Sequence, residues 1–267
     1  MRTVKQLPVA LTIAGSDSGG GAGVQADLNT FASLGVHGAS AITCLTAQNP
    51  RRVTGVEPGG PRIVLQQMEA VFAELPPAAV KTGMLFNMPL VRTVVEFFRA
   101  PGRPPLVVDP VMVATSGARL LKPAAIRMLA FDLLPLATLI TPNLQEAEVI
   151  TERSLRSVED LRGAAREMQA RFHCAVLVKG GHLKGMSEAV DIYRDEKQEL
   201  LLSAPFVKGV STHGTGCTYS AAITAYLARG LALPEAVQAA KEYITQAIAR
   251  SRPVGKYSVL DWFWEKG

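Results

Sequence analysis

Late in the chain, the run Ser211-Thr-His-Gly-Thr-Gly-Cys217-Thr-Tyr-Ser-Ala-Ala222 puts two glycines and a cysteine where a loop turns into an Ala-rich helix. The first amides of a helix lack intrahelical partners and carry partial positive charge, so they can hold an anion. Gly214 and Gly216, with Thr215 between them, keep bulky side chains from screening that backbone. Cys217 sits in the first turn, where the same field is expected to lower its pKa and hold a reactive group against the anion. The plain alternative is a Gly-rich turn before a helix with a buried cysteine.

Further polar motifs follow short apolar runs along the chain. Ala14-Gly-Ser-Asp-Ser-Gly-Gly-Gly-Ala-Gly23 comes first, then Thr46-Ala-Gln48-Asn49 and Gly83-Met84-Leu85. Asp109-Pro-Val-Met112, Thr141-Pro-Asn-Leu-Gln-Glu146 and Lys179-Gly-Gly-His182 complete the series. Gln48 and Asp27 are candidates for a polar clamp: an amide donates and accepts at once, and a carboxylate accepts from an amine or hydroxyl. Asp109 and Glu146 offer carboxylates for a magnesium-bound triphosphate, and Lys179 a point charge for phosphate. Asn143 reads equally as a cap for the helix after it. Neither His182 nor His213 shows a carboxylate–His–nucleophile arrangement, so no catalytic role is assigned to them. Gly19–Gly23 is not a clean G-x-G-x-x-G, and no G-x-x-x-x-G-K-[ST] occurs, which disfavours a dinucleotide fold and excludes a Walker-type site.

These residues need elements to hold them. Apolar runs of strand length lie at Val9–Ala14, Ala39–Leu45, Ala79–Thr82, Leu106–Val108, Leu139–Thr141 and Ala175–Val178. Helical periodicity fills Val24–Leu34, Arg62–Glu74, Met88–Phe98, Ala124–Phe131, Val158–Arg171, Thr218–Arg229 and Pro234–Ser251. Asp191–Arg194 and Glu199–Leu202 read as a hairpin at a sheet edge. Continuous apolar strands alternating with helices predict a mostly parallel sheet covered on both faces, with ligands at the strands' carboxyl ends. No repeat or linker divides the sequence, so residues 1–267 read as one domain.

Of the 267 residues, 48% are hydrophobic and 19% charged, enough for a large core. Three cysteines without a CxxC pair argue against a disulfide framework or structural zinc, and Cys44 and Cys174 read as buried small hydrophobes. The net charge of +5 is scattered, without a basic stretch carrying interleaved aromatics, so nucleic acid is not an expected partner. No apolar run approaches a membrane span and no secretory signal is evident, so a soluble cytoplasmic protein is expected.

With these motifs in this order, from about Leu7 to about Gly255, the chain closely resembles the hydroxymethylpyrimidine/phosphomethylpyrimidine kinases of thiamine biosynthesis, members of the ribokinase-like superfamily. Sugar kinases of that superfamily carry an aspartate base where Cys217 stands. The resemblance implies a three-layer α/β/α fold and two ATP-dependent phosphoryl transfers at one site. It implies that Gly15, Ala22, Asp27, Gln48, Met84 and Val111 line the pyrimidine pocket. Asn143, Glu146 and Lys179 would face ATP, Asp109 and Glu146 would hold Mg²⁺, and Gly214–Cys217 would form the anion hole. Cys217 would accept the alcohol's proton without repelling a phosphate nucleophile. A homodimer is the expected assembly. Pyridoxal kinase, or a non-catalytic pyrimidine-binding protein on this fold, are the alternatives. After Gly255 the chain keeps only the start of the family's Gly-rich ending.

Overall fold

A computed structural model describes residues 6–112, 121–181, 183, 185–207 and 213–264. His182, Ser211 and Thr212, singled out in the motifs, lie outside the described residues. In chain order the elements are β1 (Val9–Ala14), α1 (Gly23–Ser33), β2 (His37–Ile42), β3 (Cys44–Asn49), β4 (Arg52–Pro58), α2 (Pro61–Glu74), β5 (Ala79–Thr82) and α3 (Met88–Phe98). They continue with β6 (Leu106–Val108), α4 (Pro123–Met128), β7 (Leu139–Ile140), α5 (Leu144–Thr151), α6 (Val158–Phe172) and β8 (Ala175–Lys179). The last are β9 (Glu188–Arg194), β10 (Glu199–Pro205), α7 (Thr215–Ala228), α8 (Leu233–Ala249), β11 (Arg252–Val254) and β12 (Tyr257–Val259).

An eight-stranded sheet runs in the order β10-β9-β8-β7-β6-β5-β1-β2. Pairs from β2 through β8 are parallel, while β9 is antiparallel to both neighbours. The two-residue period sorts the side chains. On β1, Leu11 and Ile13 enter the layer with α2–α6, while Ala10 enters the layer with α1, α7 and α8. On β6, Leu106 and Val108 divide from Val107 in the same way. The result is three layers, α/β/α, with apolar strands buried on both faces. The order reverses at β1, because β2 lies on one side of it and β5 on the other. That switch point opens a crevice beyond the ends of β1 and β5.

The expected Ala39–Leu45 strand divides. Thr43 takes the Ala14 carbonyl as partner, β2 ends, and from Cys44 the chain leaves the sheet to pair with β4 in a separate antiparallel flap. The flap exposes Leu45, which the apolar run had assigned to the core. The expected helix Ala124–Phe131 is α-helical only to Met128, then widens to a π-turn at Leu129–Leu133 and tightens to a 3₁₀ turn at Leu134–Leu136. A Pro at 135 cannot continue an α-helical ladder. The tail after Gly255 folds back: Trp262 Nε1 donates to Thr218 Oγ1 at 3.0 Å, and its carbonyl accepts from Tyr243 at 2.8 Å.

Phe31, wholly buried between α1 and the sheet, tests this layering. Phe31→Ala should lose about 3–5 kcal/mol of stability, while Leu45→Ala on the flap should stay within about 0.5 kcal/mol. Guanidinium unfolding of the two variants checks the contrast.

Candidate active site

At the switch point, Gly15 follows β1 and Met84 follows β5. A Cβ at Gly15 would lie 2.6 Å from Cys44 Sγ and 3.4 Å from Met84 Sδ. Cys44 and Met84 form an apolar cluster separate from the two main cores, joined by Val56, Phe86 and Val111. Thr43 braces it by donating to the Met84 carbonyl at 2.6 Å. This sulfur-lined cleft suits the face of a small flat ring. At its rim Gln48 is half-buried beside a bulge in the flap, and Ser18 fixes its backbone, bonding both its N–H and its carbonyl at 2.8 Å.

Beside the cleft, α7 begins. Its N-cap is Gly214, at φ +80°, and its first intrahelical bond runs from Thr218 N–H to the Gly214 carbonyl. The amides of Gly216 and Cys217 precede that bond, outside the helical ladder. No acidic residue occupies the first turn. A Cβ at Gly216 would lie 3.4 Å from Lys179 Nζ and 3.9 Å from Asp109 Oδ2, so this glycine keeps clear the space between the helix start and a charged pair. The left-handed glycine of this loop is therefore Gly214, and Gly216 is needed for room.

Charges around this cradle are paired. Lys179 Nζ donates to Asp109 Oδ1 at 2.9 Å, and Thr141 Oγ1 donates to the same oxygen at 3.0 Å. Burial opposes the Lys179 charge, but Asp109 and Glu146 outweigh it and hold the ammonium above the usual lysine range. Beneath the cradle, Lys81 and Asp27 meet at 2.7 Å, both wholly buried, and Asp27 also accepts from Thr12 at 2.6 Å. Asp27 overcomes the burial of Lys81 and keeps it charged. The Glu146 carboxyl is buried and pushed up to about 7, first by burial and then by Asp109. The Cys217 thiol is pushed up to about 11: burial dominates over Lys81 and the Gly23 N–H, which favour the thiolate.

The family model for phosphomethylpyrimidine kinase matches residues 17–260. The chain belongs to the phosphomethylpyrimidine kinase family. It is 52% identical over 243 residues to a hydroxymethylpyrimidine/phosphomethylpyrimidine kinase of Rhizobium meliloti, covering 90% of each chain. Among solved structures, it is similar to phosphomethylpyrimidine kinase from Clostridium difficile, with 44% identity, a TM-score of 0.80, and coverage of 91% of this chain and 100% of that one. It is also similar to a Bacillus subtilis pyridoxal kinase in an ADP complex, with 36% identity, a TM-score of 0.89, and coverage of 96% and 97%. The ribokinase-like, mostly parallel fold agrees with both structures.

Within this phosphomethylpyrimidine kinase family member, the structure gathers Gly15, Met84 and Val111 at the cleft. Ala22 lies in the adjoining loop, half-buried, as the N-cap of α1. Asp27 is a correction. Neither a pocket contact nor a solvated helix residue, it is buried with both oxygens engaged by Lys81 and Thr12. Cys217 is a second: its thiol is raised, because losing water outweighs the helix field and the Lys81 charge. Asn143 and Glu146 bond each other's backbone in a capping box that starts α5, the helix Asn143 was expected to cap, and Glu146 also accepts from Met112 N–H at 3.2 Å. Sequence reasoning missed Lys81, Cys44 as cleft lining, and the role of Asp17. A lysine inside a four-residue apolar strand was the available signal for Lys81.

The raised Glu146 pKa has a consequence for stability. The folded chain binds this proton more tightly than the unfolded chain, whose carboxyl sits near 4.5. Glu146 therefore favours folding fully below about pH 4.5, and that contribution is lost as pH rises through about 7. Glu146→Gln, which retains capping ability, should flatten the fall in stability between pH 5 and pH 8 by on the order of 3 kcal/mol. Urea midpoints that fall equally in both proteins would contradict this.

Proposed function

We propose that the protein transfers phosphoryl groups from ATP to 4-amino-5-hydroxymethyl-2-methylpyrimidine, then to the resulting monophosphate, serving thiamine biosynthesis. The observation carrying this reading is the meeting of the sulfur-lined cleft with the helix start at Gly214–Cys217. In it, Gly15, Ala22, Met84 and Val111 wall the ring and Gln48 reads its polar edge. Lys179 and the α7 amides balance charge on the transferred group. Asn143, Glu146 and Lys179 would face ATP. Asp109 and Glu146 fit a hard dication: two carboxyl groups in one charge field, one of them pushed up by the other, gain from its presence. Mg²⁺ held there would supply positive charge that neutralises phosphate. The reading includes a single ribokinase-like domain over residues 1–267, acting as a homodimer in the cytoplasm.

The expected base role of Cys217 changes. A thiol pushed up to about 11 by the loss of water rests uncharged at pH 7. It lines the cradle as an uncharged S–H, which repels neither an alcohol nor a phosphate nucleophile. Because the transition state is loose, the alcohol loses its proton late, and the transferred phosphoryl oxygens, with a second pKa of about 6, can take it.

Mass spectrometry of the pyrimidine alcohol with Mg-ATP should show monophosphate and then diphosphate; absence of both would sink the assignment. Supplying each intermediate separately tests Cys217. Cys217→Ser should keep both rates within about tenfold of wild type, since the cradle stays uncharged. Cys217→Asp should slow the monophosphate step on the order of 10²-fold more than the alcohol step, by repulsion at close range. A serine variant deficient in the alcohol step alone would restore a thiolate base.

Gln48→Leu should weaken pyrimidine binding by roughly 1–3 kcal/mol and leave ATP affinity unchanged. Equal losses for both ligands would mark Gln48 as structural. Pyridoxal phosphorylation is a second reading, favoured by the close superposition on the B. subtilis pyridoxal kinase, and kcat/KM on both alcohols ranks the two.

A further inference from the structure

The Gly-rich first loop has the form of an anion-binding nest, with several amides converging on one point. The anion at that point belongs to the chain itself. Asp17, 2% exposed, accepts from the amides of Gly19 at 2.8 Å, Gly21 at 3.2 Å and Ala22 at 2.9 Å. The glycine amides of this loop therefore serve an internal carboxylate. The carboxylate has one more partner, 196 residues away: His213 Nε2 lies 2.8 Å from Asp17 Oδ2. His213 immediately precedes Gly214, the N-cap of α7.

The two loops also touch through their backbones. A Cβ at Gly214 would overlap the Gly21 carbonyl oxygen, and one at Gly21 would stand 2.8 Å from the His213 ring. Further along, the Gly23 N–H is directed at the Cys217 sulfur, and a Cβ at Gly23 would overlap the Gly15 carbonyl oxygen. One continuous contact thus runs from the ring cleft at Gly15, through residues 17–23, to the cradle at 213–217.

We propose that Asp17 and His213 are positioning residues that latch the first loop to the start of α7, so that one contact sets both the pyrimidine wall and the phosphate cradle. The carboxylate organises residues 17–22, and the histidine transfers that order to Gly214–Cys217. Burial pushes the Asp17 carboxyl up, but the His213 bond and the loop amides hold it below the usual carboxylate range. The catalytic meaning of the latch rests on the phosphoryl-transfer reading above; its structural meaning does not.

The test has two arms on the full chain. Amide hydrogen exchange of Asp17→Ala should speed up at residues 213–217 as well as at 17–22, by tenfold or more. Turnover should fall at least tenfold in Asp17→Ala and in His213→Ala. The double variant should be no worse than the weaker single, because both remove one contact. Should Asp17→Ala fail to fold, His213→Ala leaves the nest intact and carries the exchange arm, with faster exchange then expected at 17–22. Unchanged exchange across the latch, or multiplying losses in the double variant, would overturn the proposal. Coupled exchange in a chain that phosphorylates no pyrimidine would sink the functional reading and uphold the latch.

Discussion

An anion hole works only where no unbalanced negative charge stands beside it, and this constraint accounts for the arrangement of ionisable groups at the strand ends. Asp17 is matched by His213, Asp27 by Lys81, Asp109 by Lys179 and Asp191 by Lys241. Each carboxylate is buried, and each has a cationic or protonatable partner within 3 Å. Buried ion pairs add little stability relative to apolar packing, so stability alone does not explain three lysine–carboxylate pairs and a histidine–carboxylate bond around one crevice. Glu146 is the buried acid at the site without an ion-pair partner within 4 Å among the described residues, and burial, then Asp109, pushes its carboxyl up to about 7.

The pairs also hold loops that no secondary structure orders. Asp191 accepts from the Gly180 amide at 3.0 Å while Lys241 of α8 donates to its other oxygen at 2.8 Å. The loop that begins after Lys179 is thereby tied to α8. A Cβ at Gly180 would overlap the Val190 carbonyl oxygen, so the loop lies flat against β9. Ala221, Ala222 and Ala225 of α7 are wholly buried, and small residues let that helix sit close to α1 and the sheet. The helix start is consequently fixed from below by packing and from the sides by charge.

Sequence pattern read the frame well where a single element decides its own fate. β1, β5, β6 and α3 have the boundaries that apolar runs and a Pro-marked helix start imply. It failed where a distant partner decides. The Ala39–Leu45 run breaks because Thr43 bonds Ala14 and Met84, contacts that no local period encodes. The extent of α5 was not legible because its eight residues are too few to show a period, although its cap was read at Asn143 and its capping box is written plainly as Asn143-Leu-Gln-Glu146. At the site, residue types and order were legible, whereas pairings were not: Asp27 looked like a ligand contact until Lys81, 54 positions on, claimed it. His213 was set aside for want of a carboxylate, and the carboxylate is at position 17.

The raised Cys217 thiol belongs to the same logic of balanced charge. A carboxylate at this position would be a competent base for an alcohol, and it would need its own cation to stay compatible with an arriving phosphate. Lys81 is already committed to Asp27, and Lys179 to Asp109. A side chain that stays neutral through burial adds no charge to an environment where the positive charges are already spoken for. Two nucleophiles of different charge can then enter one cradle, because the cradle's own charge is the same for both. Under the proposed two-step transfer, a neutral thiol leaves the charge beside Gly214–Cys217 the same for an alcohol and for a phosphate nucleophile.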